Sequence, residues 1–239
     1  MTVILHDLVG GKVARLDALL AVFAECFPQY ASTAPLLAQK AQWPANANPH
    51  FIAHQWLADV EGQAAGLFSF KYAPGRDLGL AIYLAVRPAW RSLQVAGLPL
   101  SVWLIRSGLR QLAVDAAAAG RPLPAGIFFE VEPARLVARY REFGFIELPV
   151  EYYEPRYAQP RTGPSEPTDP GLVTFQRTHF GVFPTGYAPD NPTGQAVVRS
   201  AVLAFMTDHY GLPETHWVVT RALASIDKPN DEKELQHDR

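Results

Sequence analysis

The sequence is poor in cysteine and has no long apolar run, and each absence excludes a class of protein. Cys26 is the only cysteine among 239 residues, so an intramolecular disulfide is excluded. Its alanine- and phenylalanine-rich surroundings favour a buried structural thiol over a nucleophile. No stretch approaches the roughly 20 apolar residues of a membrane-spanning helix, and no membrane partner is expected. The N-terminal residues lack a basic leader, which predicts a cytoplasmic location.

The charge balance is close to neutral, with 21 Lys and Arg against 23 Asp and Glu and a net charge of −2. Proteins that bind nucleic acid usually carry a basic surplus, so no nucleic-acid partner is expected. Apolar residues make up 49% of the chain, which is typical of a globular protein. At this length the chain can bury a substantial core.

Several catalytic and nucleotide-binding motifs are also missing. The sequence has no G-x-G-x-x-G fingerprint, no phosphate-binding P-loop and no G-x-S-x-G elbow of a serine hydrolase. The closely spaced histidines are His50 and His54, and on a strand such a pair lies about 13 Å apart. No metal is therefore expected.

The hydrophobic pattern predicts an alternation of strands and helices. Val13, Leu16, Leu19 and Leu20 recur at three- and four-residue steps, which is typical of an amphipathic helix. Predicted helices cover Lys12 to Phe27, Tyr30 to Gln42, Ser101 to Ala119, Pro133 to Phe143, Thr193 to Tyr210 and Glu214 to Ser225. Predicted strands cover Val3 to Leu8, His50 to Val60, Ala64 to Tyr72, Gly79 to Val86, Ala125 to Val131, Ile146 to Tyr153 and Leu172 to Arg177. The strand that begins at Gly79 is almost continuously apolar, which predicts burial on both faces at the sheet centre.

These elements divide the chain into a main domain and an extension. Residues 1–180 are predicted to form one domain, with a proline-rich insert at about 155–170 that is too rich in helix and strand breakers for regular structure. Residues 181–227 are predicted to form a mostly helical C-terminal extension. Residues 228–239 have almost no apolar side chain, which predicts a disordered tail.

A strand, a polar loop and a helix follow one another between Tyr83 and Leu112. Such a loop presents unpaired backbone N–H groups at the positive end of the helix dipole, which favours a phosphate-bearing ligand. The loop reads Val86-x-Pro88-x-x-Arg91-x-x-Gln94-x-Ala96-Gly97. This pattern resembles the acetyl-CoA pyrophosphate loop of the GNAT superfamily of acyl-CoA-dependent N-acyltransferases.

The resemblance implies an α/β fold with a mixed, largely antiparallel central sheet that is flanked by helices and followed here by the C-terminal helical extension. In that family the fourth and fifth strands splay apart, and the pantetheine arm enters the gap. Acetyl-CoA is the implied cosubstrate, without a metal. The implied cofactor-binding residues are Leu84, Val86, Arg91, Ser92, Gln94, Val95, Ala96 and Gly97.

Tyr140 is the candidate general acid. It stands four residues before Gly144-Phe145, and in the family a tyrosine at this position often protonates the sulfur of coenzyme A. A phenol with a pKa of about 10 can donate to a thiolate of comparable basicity. The alternative is that Tyr140 is a packing aromatic on its helix.

Glu130 is the preferred candidate for the general base, with Glu132 as the second choice. Both alternate with apolar residues at the end of the fifth predicted strand. A carboxylate among phenylalanines has a raised pKa, which helps it to accept a proton near neutrality. The alternative is that each glutamate is an ion-pair partner of Arg135, Arg139 or Arg141.

Together these residues predict an enzyme, an N-acetyltransferase that moves an acetyl group from acetyl-CoA to an amine by direct attack. The predicted acceptor is a small molecule or an amino-acid-like compound. Two alternatives stay open: a non-catalytic acyl-CoA-binding module, and a protein-interaction scaffold on the same fold. The sequence also leaves a homodimer open.

Overall fold

A computed structural model describes residues 2–157, 173–186 and 191–227. Its strands are β1 (Val3–Asp7), β2 (Ile52–Val60), β3 (Gln63–Ala73), β4 (Leu78–Val86), β5 (Gln94–Val95), β6 (Leu98–Pro99), β7 (Gly126–Val131), β8 (Ile146–Glu147), β9 (Tyr153–Tyr157), β10 (Val173–Arg177) and β11 (His179–Pro184). The helices are α1 (Leu16–Cys26), α2 (Ala34–Gln42), α3 (Leu100–Ala118), α4 (Ala134–Arg141), α5 (Gln195–Leu203) and α6 (Trp217–Ile226). Short 3₁₀ turns cover Pro28–Thr33 and Pro88–Trp90, and Ala204–His209 is π-helical. Within these ranges no helix is long and apolar enough to cross a membrane.

Seven strands form the main sheet in the order β1-β2-β3-β4-β7-β11-β8. Neighbouring strands are antiparallel, except for β4 and β7, which are parallel. The predicted mixed, largely antiparallel sheet is therefore confirmed. The apolar strand β4 lies at its centre, as its lack of polar alternation predicted.

Different helices pack on the two faces of the sheet, and side chains alternate between these faces along each strand. On β3, Phe68, Phe70 and Tyr72 pack in a core cluster with α3 and α4. On the opposite face, Leu67 packs in the cluster of α1 and α2, whereas Ala73 packs in the cluster of α5 and α6. These two groups of helices therefore share one face, with the middle of β3 between them.

One predicted strand was wrong, and two predicted dividing points of the chain fall within strands. The strand predicted from Ile146 to Tyr153 is broken, because only Ile146–Glu147 pairs in the main sheet. Tyr153–Tyr157 is a separate strand paired with Val173–Arg177, so the first residues of the predicted irregular insert are regular. The domain boundary drawn after residue 180 falls inside β11, which pairs with both β7 and β8. Residues 158–170 of the predicted insert and the predicted tail, 228–239, lie outside the described residues.

Candidate active site

A gap opens in the sheet between β4 and β7. These strands pair only at Gly79 with Ile127 and at Leu80 with Phe128. Beyond those pairs both strands continue, to Val86 and to Val131, without pairing to each other. The sheet centre is therefore split towards the carboxyl ends of these two strands, where the resemblance predicted the entry of pantetheine.

A β-bulge in β4 lies at the edge of this gap. Phe70 of β3 pairs with Ala81, but Ser69 pairs with Tyr83, which leaves Ile82 unpaired. A bulge changes the direction of the side chains next to it. As a result the consecutive residues Ile82 and Tyr83 both line the same cavity.

This cavity, of about 470 Å³, lies on the face shared by α1, α2, α5 and α6. Its floor carries polar side chains from successive strands, namely Gln55, Ser69, Tyr83 and Glu130. Its walls come from α2, the loop after α2, β9 and the end of the π-helical segment. The residues that line it also include Tyr30, Lys71, Glu132, Glu154, Arg156, His209 and Tyr210. The C-terminal extension thus completes a cavity that begins in the main sheet.

Glu130 lies in this cavity with both carboxylate oxygens held by tyrosines. Tyr152 donates to Oε1 at 2.7 Å, and Tyr210 donates to Oε2 at 2.6 Å. Burial raises the pKa of Glu130 to about 7, against the lowering effect of these two hydrogen bonds. A nearby carboxylate, Glu132, raises the pKa further. Glu130 is therefore a half-buried carboxyl group that can exchange a proton near neutrality.

The alternative ion pairs of the glutamates with Arg135, Arg139 or Arg141 are not found among the described residues. Arg141 pairs instead with Glu147. Glu132 lies next to Arg156, whose Nη2 is 2.7 Å from Glu132 Oε1, and it accepts a hydrogen bond of 2.5 Å from Tyr30.

Sequence reasoning missed Glu154 and Arg156. Arg156 Nη2 is also 2.9 Å from Glu154 Oε2, so this arginine bridges Glu132 and Glu154. Burial raises the pKa of Glu154, and the carboxylates of Glu130 and Glu132 add to that shift. The signal that could have identified these residues is the alternation of Glu154 and Arg156, which puts both side chains on one face of a strand.

Tyr140, the candidate acid, lies on the other face of the sheet from the cavity. Its ring is 6.4 Å from Phe129, 6.2 Å from Phe145 and 5.6 Å from Phe183. Burial raises the pKa of Tyr140 to about 12, and no hydrogen-bond partner of its hydroxyl is found among the described residues. Because Phe129 and Glu130 are consecutive on β7, Tyr140 and Glu130 flank the same stretch of that strand from opposite sides.

The predicted cofactor loop is more regular than the sequence suggested. Gln94–Val95 and Leu98–Pro99 form a small β-hairpin, and its turn residues Ala96 and Gly97 have φ values of 51° and 79°. Helix α3 then begins at Leu100 instead of Ser101. Two further predicted residues, Leu84 and Val86, are half-buried on β4 where it borders the gap.

The donors of this loop fit an anionic ligand. In the described part of the chain, the N–H groups of Ser92, Ala96 and Gly97 have no hydrogen-bond partner. The exposed Arg91 lies beside Ser92 and donates from Nε to the carbonyl oxygen of Val86 at 3.2 Å. Several N–H groups in a turn, together with a guanidinium group, are a donor set that suits a pyrophosphate.

His54, one of the two closely spaced histidines His50 and His54, lies in a buried ionic cluster. Its Nδ1 is 2.6 Å from Asp7 Oδ2, and its Nε2 is 3.0 Å from Asp115 Oδ2. Although burial disfavours its charged form, the hydrogen bonds to Asp115 and Asp7 raise the pKa of His54 to about 9. His54 is therefore an imidazolium at neutral pH that joins β1, β2 and α3, a structural role.

No family model matches the chain, and no curated protein matches it. Among solved structures, it is similar to a GNAT-family acetyltransferase described as putative from Bacteroides thetaiotaomicron, at 15% identity over 88% of this chain and 99% of that chain, with a TM-score of 0.48. It is similar to the PaiA N-acetyltransferase from Thermoplasma acidophilum in complex with coenzyme A, at 13% identity over 76% and 99% of the two chains, with a TM-score of 0.46. It is also similar to a GNAT-family acetyltransferase from Brucella melitensis in complex with acetyl-CoA, at 20% identity over 61% and 83%, with a TM-score of 0.39. Solved structures to which this chain is similar thus include several acetyltransferases of the GNAT family.

Proposed function

We propose that the protein transfers an acetyl group from acetyl-CoA to the amine of a small-molecule acceptor, with Glu130 as the general base. The observation that carries the proposal is the Glu130 carboxyl group, half-buried at the open end of the β4–β7 gap and on the floor of a cavity of about 470 Å³. A general base acts best when its pKa is near the working pH, and burial raises the pKa of Glu130 to about 7.

Acetyl-CoA supplies the acetyl thioester, and the chain supplies two proton transfers. Glu130 accepts a proton from the attacking amine as the new C–N bond forms. Tyr140 donates a proton to the sulfur as the C–S bond breaks. The protein therefore gains one proton at Glu130 and loses one at Tyr140. The N–H groups of Ser92, Ala96 and Gly97 bind the pyrophosphate.

The size of the cavity supports a small-molecule acceptor. Its volume is about 470 Å³, and its walls come from several elements, including the end of the π-helical segment. Its lining carries side chains of both charges: Glu130, Glu132 and Glu154 on one side of the balance, and Lys40, Lys71 and Arg156 on the other. Such a lining can hydrogen-bond a polar acceptor at several points.

A second candidate is a non-catalytic acyl-CoA-binding module. It is favoured by the environment of Tyr140, whose pKa burial raises to about 12, which makes it a poor proton donor. Such a module would bind coenzyme A through the same gap and loop but would transfer nothing.

The two candidates are separated by measuring thiol release from acetyl-CoA against a panel of small amines, together with calorimetry of coenzyme A binding. We expect turnover by the wild type and a loss of about 10²- to 10⁴-fold in Glu130→Gln. The matched control, Glu142→Gln, removes an exposed carboxylate and should keep full activity. Coenzyme A binding without turnover of any amine would favour the module, and no binding at all would refute both candidates.

A further inference from the structure

We propose that Tyr210, a residue of the C-terminal extension, is a positioning residue for Glu130 and is delivered to it by the π-helical turn that precedes it. This inference rests on the proposed role of Glu130 as the base. It assigns the extension a part in the reaction instead of a part in assembly.

The hydrogen bonds to Glu130 fix the plane of its carboxylate. Tyr152 and Tyr210 each donate to a different oxygen, at 2.7 Å and 2.6 Å. Tyr152 is itself immobilised, since it is fully buried and stacks on Phe180 at 4.5 Å with an interplanar angle of 5°. An ionised carboxylate has about four lone-pair sites, so two hydrogen bonds leave the others able to accept a proton. Without the Tyr210 hydroxyl, Oε2 of Glu130 loses this donor and the carboxylate can rotate.

The π-helical turn brings three consecutive residues onto the main domain. Asp208 forms a bidentate ion pair with Arg76, at 2.5 Å and 3.0 Å. The next residue, His209, has Nδ1 2.9 Å from Lys71 Nζ, and the residue after it is Tyr210, which contacts Glu130.

The π turn narrows the spread of these three side chains. Neighbouring residues of an α-helix point about 100° apart, so three of them would spread over about 200°. A π turn has i→i+5 hydrogen bonds and rotates less per residue. The bond of 2.8 Å from the N–H of Tyr210 to the carbonyl oxygen of Phe205 has this spacing. The smaller spread favours simultaneous contacts of Asp208, His209 and Tyr210 with the main domain.

Tyr210 also biases the charge of Glu130. A hydrogen bond to a carboxylate favours its ionised form, and both tyrosine hydroxyls lower the pKa of Glu130 while burial and Glu132 raise it. The other groups that face this carboxylate are Tyr83 of β4 and Glu154 of β9, with Arg156 beside Glu154. Deleting the Tyr210 hydroxyl removes a hydrogen bond that lowers the pKa of Glu130, so that pKa should rise.

The test is Tyr210→Phe, which keeps the ring and deletes the donor. We expect the acid limb of the pH profile of kcat/KM to move up by about one pH unit or more, as for the loss of a hydrogen bond to a charged group. Activity should fall by about tenfold at pH 6 and recover at pH 9. Tyr152→Phe should shift the limb in the same direction. Tyr153→Phe is the matched control, because that hydroxyl donates to Glu151 and should leave the limb in place.

A second measurement does not depend on catalysis. In protein labelled with ¹³C at the glutamate carboxyl carbons, the Glu130 signal, assigned by its loss in Glu130→Gln, should titrate at higher pH in Tyr210→Phe. If Tyr210→Phe unfolds, 3-fluorotyrosine at position 210 keeps the shape, strengthens the hydrogen bond, and should shift the titration to lower pH. An unchanged titration would overturn the role of Tyr210, whether or not any amine is acetylated. A shifted titration without acetylation would retain the Tyr210–Glu130 coupling and refute the proposed function instead.

Discussion

Glu130 should make the folded protein less stable at the pH at which it is active, and Glu130→Gln should remove that cost. The pKa of this carboxyl is about 7 in the fold against an ordinary 4.5. Between these values the unfolded chain releases a proton that the folded chain retains, so the free energy of unfolding falls as the pH rises from about 4.5 to about 7. At about 1.4 kcal/mol per pKa unit, the shift from 4.5 to about 7 corresponds to about 3 kcal/mol.

The assay is urea denaturation of the wild type and of Glu130→Gln at a series of pH values from 4.5 to 8. The quantity of interest is the difference between their free energies of unfolding, because the other titrating groups are common to both proteins. This difference should grow in favour of Glu130→Gln up to about pH 7 and then level off. Glu142→Gln, which removes an exposed carboxylate, is the control for the substitution itself. A flat difference for Glu130→Gln would refute the raised pKa and with it the reasoning for a neutral-pH base.

Three further predictions concern the loop, the acid and the ionic cluster. Gly97→Pro should weaken coenzyme A binding in calorimetry, because proline lacks an N–H donor and cannot adopt a φ of 79°. Gly186→Pro, a substitution at the same φ elsewhere in the chain, should leave this affinity unchanged. If Gly97→Pro and the wild type bind coenzyme A equally well, the pyrophosphate does not bind at this loop. Tyr140→Phe should lower kcat by about 10²- to 10⁴-fold with little change in melting temperature, while an unchanged kcat with a lowered melting temperature would support packing alone. The pKa of His54, raised from 6.5 to about 9, predicts that its contribution to the free energy of unfolding is fully present below pH 6.5 and is lost as the pH rises through 9. In thermal melts, Asp115→Asn should make this loss less steep. An equally steep loss in the variant would contradict the role of Asp115.

The local pattern was sufficient for most of the fold. Apolar residues at three- and four-residue steps indicate a helix, and the unbroken apolar run of β4 indicates a central strand. Each pattern reflects the surface that one element buries. The break between β8 and β9 was missed for the same reason. The apolar and aromatic residues from Ile146 to Tyr153 look like one strand, although Pro149 cannot donate to a ladder and the chain leaves the sheet there.

The candidate base was predictable, whereas its surroundings were not. Glu130 was conspicuous as a charged residue at the end of an apolar strand. Its contacts come from Tyr152 and from Tyr210, which are 22 and 80 residues further along the chain. Hydrogen bonds at such separations follow from how whole elements pack, so no local pattern marks them. The alternative arginine partners lie near Glu130 and Glu132 in sequence, but the arginine next to Glu132 in the structure is Arg156, 24 residues further along the chain.

The sequence by itself determined the order of most strands and helices, though not β11 or the break between β8 and β9, and it determined the position of the loop between β4 and α3. These depend on periodicity and turn residues, which are local properties of the chain. Glu130 became a candidate through its place on an apolar strand, and Tyr140 through the family resemblance. The tertiary structure alone decided that β4 and β7 diverge, that Glu130 and Tyr140 lie on opposite faces of the sheet, and that the C-terminal extension reaches Glu130 through Tyr210. Those outcomes depend on strand register and on the packing of distant elements, which bring together residues that have no relation along the sequence.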